Sequence, residues 1–342
     1  MSLEYIRTIP SPEEMMEEIP LIGELKEVKK LRDKEISDVI KGESDKFILI
    51  IGPCSADNED SVCDYISRLA KVQDKVKDKL ILIPRIYTNM PRTTGIGYKG
   101  MLHQPNPSEA ENILEGLQQI RRLHIRAIKE SGLTAADEML YPENHVYLQD
   151  VLGYVAVGAR STENQSHRLV ASCVDVATGM KNPMSGDLSV MFNSIKAAQA
   201  SHTFIYNRSE VKSSGNPLAH AILRGAVNVH GKNIPNYHYE NLIDAASRYI
   251  ESGLENQAII VDTNHSNSAK KYKEQPRIAM EVMHNRNNSD SLKNLIKGFM
   301  IESYIEEGTQ KIEDGVYGKS ITDACLGWVD TEDLILKIAD KV

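Results

Sequence analysis

The segment FILIIGPCS, residues 47–55, sets the pattern on which the fold prediction rests: a short apolar run leads into a residue that can carry charge or bind a metal. Five further segments repeat this pattern at intervals long enough to hold a helix, which is typical of parallel strands covered on both faces. They are LILIPRIYT (80–88), YVAVGAR (154–160), AHAILRGA (219–226), AIIVDTNH (258–265) and GFMIESY (298–304). A charge at the end of a buried strand costs free energy unless an opposite group pairs with it. The strand ends therefore predict a site for an anion beside a metal, and they carry Cys54, Arg85, Arg160, Arg224, His265 and Glu302.

Two more segments, LTAADEML (133–140) and ATGMKN (177–182), bring the number of predicted strands to eight, with helical patterns between them. Eight strands that alternate with helices predict a closed (β/α)8 TIM barrel of the α/β class. The strands are predicted at 47–55, 80–88, 133–139, 154–160, 177–182, 219–226, 258–265 and 298–304. A doubly wound open sheet is the alternative fold, but the sequence lacks the glycine-rich phosphate fingerprint of that fold.

The chain divides into an N-terminal helical extension, residues 1–45, and a catalytic barrel, residues 46–342. Ser11, Pro12 and Glu14 form the pattern of a capping box with a first-turn proline, and Gly42 is a typical helix stop. Within the barrel, Asp57 and Ser108 are predicted to begin the helices that follow strands one and two. HTFIYN (202–207) and EVKSSGN (210–216) match no barrel element and predict a β-hairpin inserted before strand six.

Composition narrows the class of protein. The net charge of −8 argues against nucleic acid as a partner, since nucleic-acid-binding proteins present basic faces. No apolar run approaches the roughly 20 residues of a membrane span, and the acidic start is not a signal peptide. The four cysteines show no paired spacing, which is typical of a protein in the reducing cytoplasm.

Four residues are the candidate metal ligands. Cys54, His265 and Glu302 lie at strand ends, and Asp323 lies in the loop YGKSITDACLGW after the last strand. A thiolate, an imidazole and two carboxylates suit Mn²⁺, Fe²⁺, Co²⁺ or Zn²⁺ better than Mg²⁺ or Ca²⁺. Taken alone, each residue has a common structural explanation, such as a cysteine of the core or a histidine that only makes a hydrogen bond. Only the barrel prediction brings the four residues together.

Cations line the same predicted mouth in two groups. Several guanidinium groups that converge on one site suit a phosphate or a carboxylate, which arginine grips through two hydrogen bonds. The two groups predict two anionic ends, as a phosphorylated substrate beside a second one would have. The first group is Arg85, Arg160, Lys181 and Arg224, and the second is Arg92, Thr93 and Thr94, with Lys99 in the same loop.

The motifs now in view resemble those of the type I 3-deoxy-D-arabino-heptulosonate 7-phosphate (DAHP) synthases, from about residue 45 to the C-terminus. The matching segments, which occur in the family's order, are IGPCS, PRTTGIGYKG, VGARSTENQSHRLVAS, GMKN, ILRGA, VDTNHSNSAKKYKEQ, GFMIESYIEEGTQ and YGKSITDACLGWVDTE. The sequence is also similar to 3-deoxy-octulosonate 8-phosphate synthases, but the long GARSTENQSHR and ITDACLGW segments favour the DAHP group. The resemblance implies a (β/α)8 barrel, a divalent metal, and condensation of phosphoenolpyruvate with erythrose 4-phosphate, the first step towards shikimate and the aromatic amino acids.

The resemblance also implies a role for each candidate residue. Cys54, His265, Glu302 and Asp323 would bind the metal; Arg85, Arg160, Lys181 and Arg224 would bind phosphoenolpyruvate; Arg92 and Thr93 would bind the erythrose phosphate. Beyond the resemblance, the chemistry of the reaction suggests the hypothesis that Lys181 or a metal-bound water supplies or removes the proton, with Glu138 at the end of strand three nearby. The family forms homodimers and homotetramers, and an N-terminal helix suits such an interface.

One residue departs from the family pattern. Met90 stands where the family usually has a lysine, just before Pro-Arg-Thr, and methionine neither donates a hydrogen bond nor carries charge. Lys99 compensates, or the phosphate site is weaker, or the enzyme uses another aldose phosphate as its acceptor. A catalytically weak phospho-ligand-binding protein is a third reading, which the intact metal set disfavours. Metal identity and feedback control stay open on the sequence alone.

Overall fold

The fold is taken from a computed structural model, which describes residues 2–92 and 95–342. The strands are β1 (Phe47–Gly52), β2 (Leu80–Pro84), β3 (Ala135–Glu138), β4 (Leu152–Val157), β5 (Ala177–Lys181), β6 (Thr203–Tyr206), β7 (Ser209–Lys212), β8 (Ala219–Leu223), β9 (Ala226–Val227), β10 (Asn233–Ile234), β11 (Ile259–Asp262) and β12 (Ile296–Glu302). The helices are α1 (Pro12–Glu18), α2 (Glu24–Lys41), α3 (Glu59–Val76), α4 (Ile113–Ser131), α5 (Pro142–His145), α6 (Gln165–Ala171), α7 (Leu188–Gln199), α8 (Tyr239–Ser252), α9 (Gln275–Asn287), α10 (Asp290–Leu295) and α11 (Trp328–Ala339).

Eight of the strands form one parallel sheet in the order β2-β1-β12-β11-β8-β5-β4-β3. A parallel bridge between Arg85 and Ala136 joins the two ends of this order, and the Ile86 amide donates to the Ala136 carbonyl at 2.9 Å. The sheet is therefore a barrel rather than an open doubly wound sheet, and the predicted fold class is confirmed.

The barrel strands are buried along almost their whole length because helices cover the outside and side chains fill the inside. All six residues of β1 are buried, as are all five of β2 and of β8. This burial on both faces explains why the sequence shows continuous apolar runs instead of alternation. Each predicted strand overlaps an observed one, but several predicted strands run a few residues past the hydrogen-bonded ladder into the following loop.

Two helical segments precede the barrel. Ser11 and Glu14 form the predicted capping box of α1, and Gly42 ends α2 in the left-handed conformation. The face of α2 that packs on the barrel is built from Ile36, Val39 and Ile40.

Two helix starts differ from the prediction. The side chain of Asn58, and not Asp57, caps α3 by accepting from the Ser61 amide. The helix predicted from Ser108 begins at Ile113, where Asn112 accepts from the Glu115 amide, because the residues before it fold into turns that tie the Asn112 amide to the His103 carbonyl. Asparagine caps a helix as well as aspartate or serine does, so composition alone could not choose between neighbouring candidates.

Outside the barrel sheet, β6 and β7 pair as an antiparallel hairpin directly before β8, the sixth barrel strand. A second, shorter antiparallel pair, β9 with β10, follows β8. None of the helices in the described residues is both long enough and apolar enough to span a membrane.

Candidate active site

The carboxyl ends of the barrel strands surround a cavity of about 210 Å³. Since parallel strands all end at the same rim, residues far apart in sequence meet there. Of the residues predicted for the site, the structure brings ten to the wall of this cavity: Cys54, Arg85, Arg92, Glu138, Arg160, Lys181, Arg224, His265, Glu302 and Asp323. Lys99 does not line it, and Thr93 lies outside the described residues.

Three candidate metal ligands meet on one side of the cavity. One ligand atom each from Cys54, Glu302 and Asp323 lies within 4.8 Å of the others. The fourth candidate, His265, places its Nε2 atom 3.9 Å from Oε1 of Glu302. These donors combine sulfur, nitrogen and oxygen, a set that suits a borderline divalent transition metal.

The imidazole of His265 is oriented by a carboxylate. Asp262, the last residue of β11, holds Oδ2 at 2.6 Å from Nδ1 of His265, which leaves Nε2 facing the cavity. This carboxylate–histidine pair is the usual arrangement around a metal-binding imidazole. Burial alone would raise the pKa of Asp262, but His265, Lys181 and Arg85 together hold that pKa well below its usual range.

The acidic side of the cavity brings two carboxylates close to a buried thiol. Burial raises the pKa of the Cys54 thiol to about 12, and the carboxylates of Glu302 and Asp323 add to the rise. Lys270 supplies one cation, because its ammonium lies 2.8 and 3.0 Å from the two carboxylate oxygens of Asp323. A divalent ion held by these residues would reverse the electrostatics that keep the thiol protonated.

The opposite side of the cavity is basic and mostly buried. Arg85, Lys181 and Arg224 are at most 5% exposed, whereas Arg160 is exposed at the rim. Arg85 donates one hydrogen bond to Glu302 at 3.2 Å, yet its Nε and Nη1 atoms are buried and have no partner among the described residues. A buried donor without an acceptor is costly, so these two donors favour an anionic group in the cavity.

Lys181 lies between two acidic strand ends. Its ammonium is 3.5 Å from Glu138 and 3.8 Å from Asp262. Glu138 in turn packs against Gly158, where a Cβ atom would come within 2.4 Å of the Glu138 carboxylate. A side chain at position 158 would therefore push the Glu138 carboxylate out of its present position beside Lys181.

The loop after β2 contributes Met90 and Arg92 to the wall. Met90 is 6% exposed and is held by its amide, which donates to the Lys99 carbonyl at 3.1 Å. Lys99 does not line the cavity, and its ammonium pairs with Glu111. Lys99, which was predicted to contact substrate, therefore has its ammonium engaged by a carboxylate of the same loop region.

Comparison with known proteins decides the family. The profile of the DAHP synthetase I family matches residues 23–336. The chain belongs to the DAHP synthetase I family. The Phe-sensitive phospho-2-dehydro-3-deoxyheptonate aldolase of Escherichia coli strain K12 is 34% identical, over 100% of this chain and 97% of its own. The corresponding aldolase of Haemophilus influenzae is 34% identical, over 99% of this chain and 93% of its own.

A solved structure agrees with this assignment. The phospho-2-dehydro-3-deoxyheptonate aldolase of Francisella tularensis superposes with a TM-score of 0.92 at 28% identity, covering 100% of this chain and 98% of the other. The predicted resemblance to the DAHP synthases is confirmed, and with it the prediction that the chain is an enzyme.

Several residues that shape the site of this DAHP synthetase family member were missed by sequence reasoning. Asp262 orients His265, Lys270 pairs with Asp323, and the ring of Tyr87 lies 4.1 Å below the Arg85 guanidinium. Asp262 lies inside the quoted segment AIIVDTNH, so a signal was present: a carboxylate three residues before a predicted ligand. Lys270 gives no such signal. It lies five residues after His265 in a loop, and only the turn of that loop places its ammonium beside Asp323.

Proposed function

We propose that this enzyme condenses phosphoenolpyruvate with erythrose 4-phosphate, giving 3-deoxy-D-arabino-heptulosonate 7-phosphate and inorganic phosphate. The observation that carries the proposal is the buried, incompletely paired guanidinium of Arg85, which lies between a basic wall and a group of metal-binding residue types. A site of this kind requires an anion next to a cation, and phosphoenolpyruvate with a metal supplies both.

The basic wall would hold phosphoenolpyruvate. Arg85, Arg160, Lys181 and Arg224 all line the cavity, and together they offset the charge of a molecule that carries up to three negative charges. Burial lowers the pKa of Arg224 from its ordinary value, and the nearby charge of Asp262 offsets only part of that effect. These cations are fixed before substrate arrives, so they stabilise developing charge with little reorganisation.

In the proposed reaction, C3 of phosphoenolpyruvate forms a bond to the aldehyde carbon of the acceptor. Water then adds at C2, and phosphate leaves with cleavage of its bond to that carbon. Lys181 and Glu138, 3.5 Å apart on the cavity wall, are the pair we assign to proton transfer. Arg92, with Thr93, would hold the phosphate of the acceptor at the other end.

Cys54, His265, Glu302 and Asp323 would hold a divalent ion, for which Mn²⁺, Fe²⁺, Co²⁺ and Zn²⁺ are the candidates. Their donor set fits such an ion, and the Asp262–His265 pair supports the orientation of the imidazole. When bound, the ion supplies Lewis-acid polarisation of the acceptor carbonyl.

The proposal predicts turnover that needs both a metal and erythrose 4-phosphate. We expect the metal-loaded enzyme to consume phosphoenolpyruvate and to release an equal amount of phosphate. The consumption is measured as the loss of enolpyruvate absorbance. A chelator should abolish the reaction, and added Mn²⁺ should restore it. Turnover that persists in chelator after dialysis would contradict the metal assignment, and phosphoenolpyruvate consumption without any aldose would contradict the condensation.

A second candidate function is condensation with a different aldose phosphate. The observation in its favour is that Met90 is buried at the cavity wall while Lys99, the nearest substitute for the family lysine, is occupied by Glu111. This leaves Arg92 with less help in binding an acceptor phosphate than the family pattern provides.

The variant Met90→Lys tests this alternative. If Met90 has only removed the phosphate contact that the family lysine makes, the new ammonium of Met90→Lys restores a charge-assisted hydrogen bond. It should then raise kcat/KM for erythrose 4-phosphate by about tenfold. Met90→Leu, which changes shape without adding charge, is the matched control and should show no gain. An unchanged kcat/KM in Met90→Lys, together with better turnover of another aldose phosphate by the wild type, would favour the second candidate.

A further inference from the structure

The seam between β2 and β3, where the barrel closes, has the fewest backbone hydrogen bonds of any pair of neighbouring barrel strands in the described chain. The other seven pairs of neighbouring strands share a ladder of several residues, but in the described chain a single bridge, Arg85 with Ala136, joins this one. The loop that follows β2 starts at this seam and carries Met90 and Arg92 to the cavity wall. The geometry of this strand pair therefore bears directly on where these two residues stand on the cavity wall.

A buried carboxylate extends the seam where the backbone ladder stops. Asp137 is 3% exposed and accepts hydrogen bonds from the Thr88 amide at 3.0 Å, from the Thr88 hydroxyl, and from the Glu138 amide at 2.7 Å. The Asn89 side-chain amide donates to the Thr88 hydroxyl at 3.2 Å, so that hydroxyl both gives and receives a bond. Asp137 itself does not line the cavity.

Thr88 is also the point at which the loop returns to the barrel. Its carbonyl accepts from the Leu102 amide at 3.1 Å, and Gly100, with a φ of 96°, packs so closely that a Cβ there would come within 2.4 Å of that carbonyl. Both ends of the loop are thus fixed to one residue, and that residue is fixed to Asp137.

We propose that Asp137 is a positioning residue for acceptor binding: through Thr88 it sets the placement of Asn89, Met90 and Arg92 on the cavity wall. The proposal rests on the function proposed above, because the acceptor phosphate is what this loop would bind. It predicts that loss of the Asp137–Thr88 bond weakens binding of the aldose phosphate while binding of phosphoenolpyruvate, on the other wall, is spared.

Thr88→Val is the decisive variant, since it removes only the hydroxyl and keeps the shape of the side chain. We expect it to raise the KM for erythrose 4-phosphate by about tenfold, the size typical of leaving one buried partner unsatisfied. The KM for phosphoenolpyruvate should stay within about twofold of the wild-type value, because a change confined to one substrate's site affects the binding of that substrate alone. Thr88→Ser keeps the hydroxyl and should restore the wild-type KM. Asp137→Ala should show the same split with a larger effect and a lower Tm.

The matched control is Thr134→Val, just before β3. The Thr134 hydroxyl is equally buried but has no partner in the described residues, so its loss should change neither KM. Equal rises in both KM values for Thr88→Val, or a lower Tm with both KM values unchanged, would overturn the positioning role and leave the proposed function standing. If the wild type uses another aldose phosphate, the proposed acceptor is wrong, and the same split with that aldose supports the positioning role. No turnover with any aldose phosphate would overturn both.

Discussion

Cys54→Ala is expected to lower the affinity for Co²⁺ or Mn²⁺ by more than about 100-fold and to reduce turnover to background. The physical reason is that Cys54 offers the only sulfur among the four candidate ligands, and loss of even a residue that supports a ligand typically costs 10- to 100-fold in metal affinity. In the Co²⁺-loaded wild type, the thiolate-to-cobalt charge-transfer absorbance should be present, and in the variant it should be absent. This spectrum reads out the ligand directly, without depending on activity.

Cys63→Ala is the matched control for this experiment. Cys63 is buried in α3 at 2% exposure and does not line the cavity, so its replacement should leave the cobalt spectrum and the metal affinity unchanged. A Cys54→Ala protein that binds Co²⁺ with wild-type affinity would show that the thiol belongs to the core and not to the metal site.

Arg85→Ala is expected to lower kcat/KM for phosphoenolpyruvate by roughly 10³-fold. The Nε and Nη1 donors of Arg85, which have no partner among residues 2–92 and 95–342, would each make a charge-assisted hydrogen bond to the substrate, and two such bonds at about 2 kcal/mol each account for that factor. The effect should be much larger than that of Arg160→Ala, because Arg160 is exposed and water screens its charge. Calorimetric titration with phosphoenolpyruvate should show the same ranking in affinity.

Arg85→Lys separates charge from geometry. Lysine keeps the positive charge that faces Glu302 but lacks the planar guanidinium that can bind an anion through two hydrogen bonds. The Arg85→Lys variant should therefore recover only part of the kcat/KM that Arg85→Ala loses. Since Arg85 also contacts Glu302 at 3.2 Å, metal affinity must be measured for both variants. Phosphoenolpyruvate affinity equal to wild type in a folded Arg85→Ala protein would remove this residue from the proposed substrate site.

The strands were the most predictable part of this protein. Segments such as 47–55 and 80–88 are short apolar runs because both faces of a barrel strand are buried. Most residues of such a strand must therefore be apolar, so the strand can be recognised from the sequence alone. Helix starts were less predictable: Asn58 caps α3 and Asn112 caps α4, where Asp57 and Ser108 were expected. Capping depends on which of several suitable neighbours reaches a free amide, and that is set by the path of the preceding loop.

The candidate site was predictable to the extent that it follows from strand ends. Because every parallel strand of a barrel ends at one rim, locating the strands was enough to expect Cys54, Arg85, Lys181 and Glu302 near one another, and all four line the cavity. Residues in loops do not obey this rule. Lys99 was expected at the substrate and instead pairs with Glu111, while Lys270 was not expected and pairs with Asp323.

The sequence by itself determined the (β/α)8 barrel, the family, and the residue types gathered at the carboxyl ends of the strands, because burial and strand direction act on each segment separately. Only the tertiary structure decided which polar groups pair: Asp262 with His265, Lys270 with Asp323, and Asp137 with Thr88 across the seam between β2 and β3. Each of these pairs forms only when its two groups lie within about 4 Å of each other, and the positions of the groups in the sequence do not determine that distance. Those distances exist only once the barrel has closed.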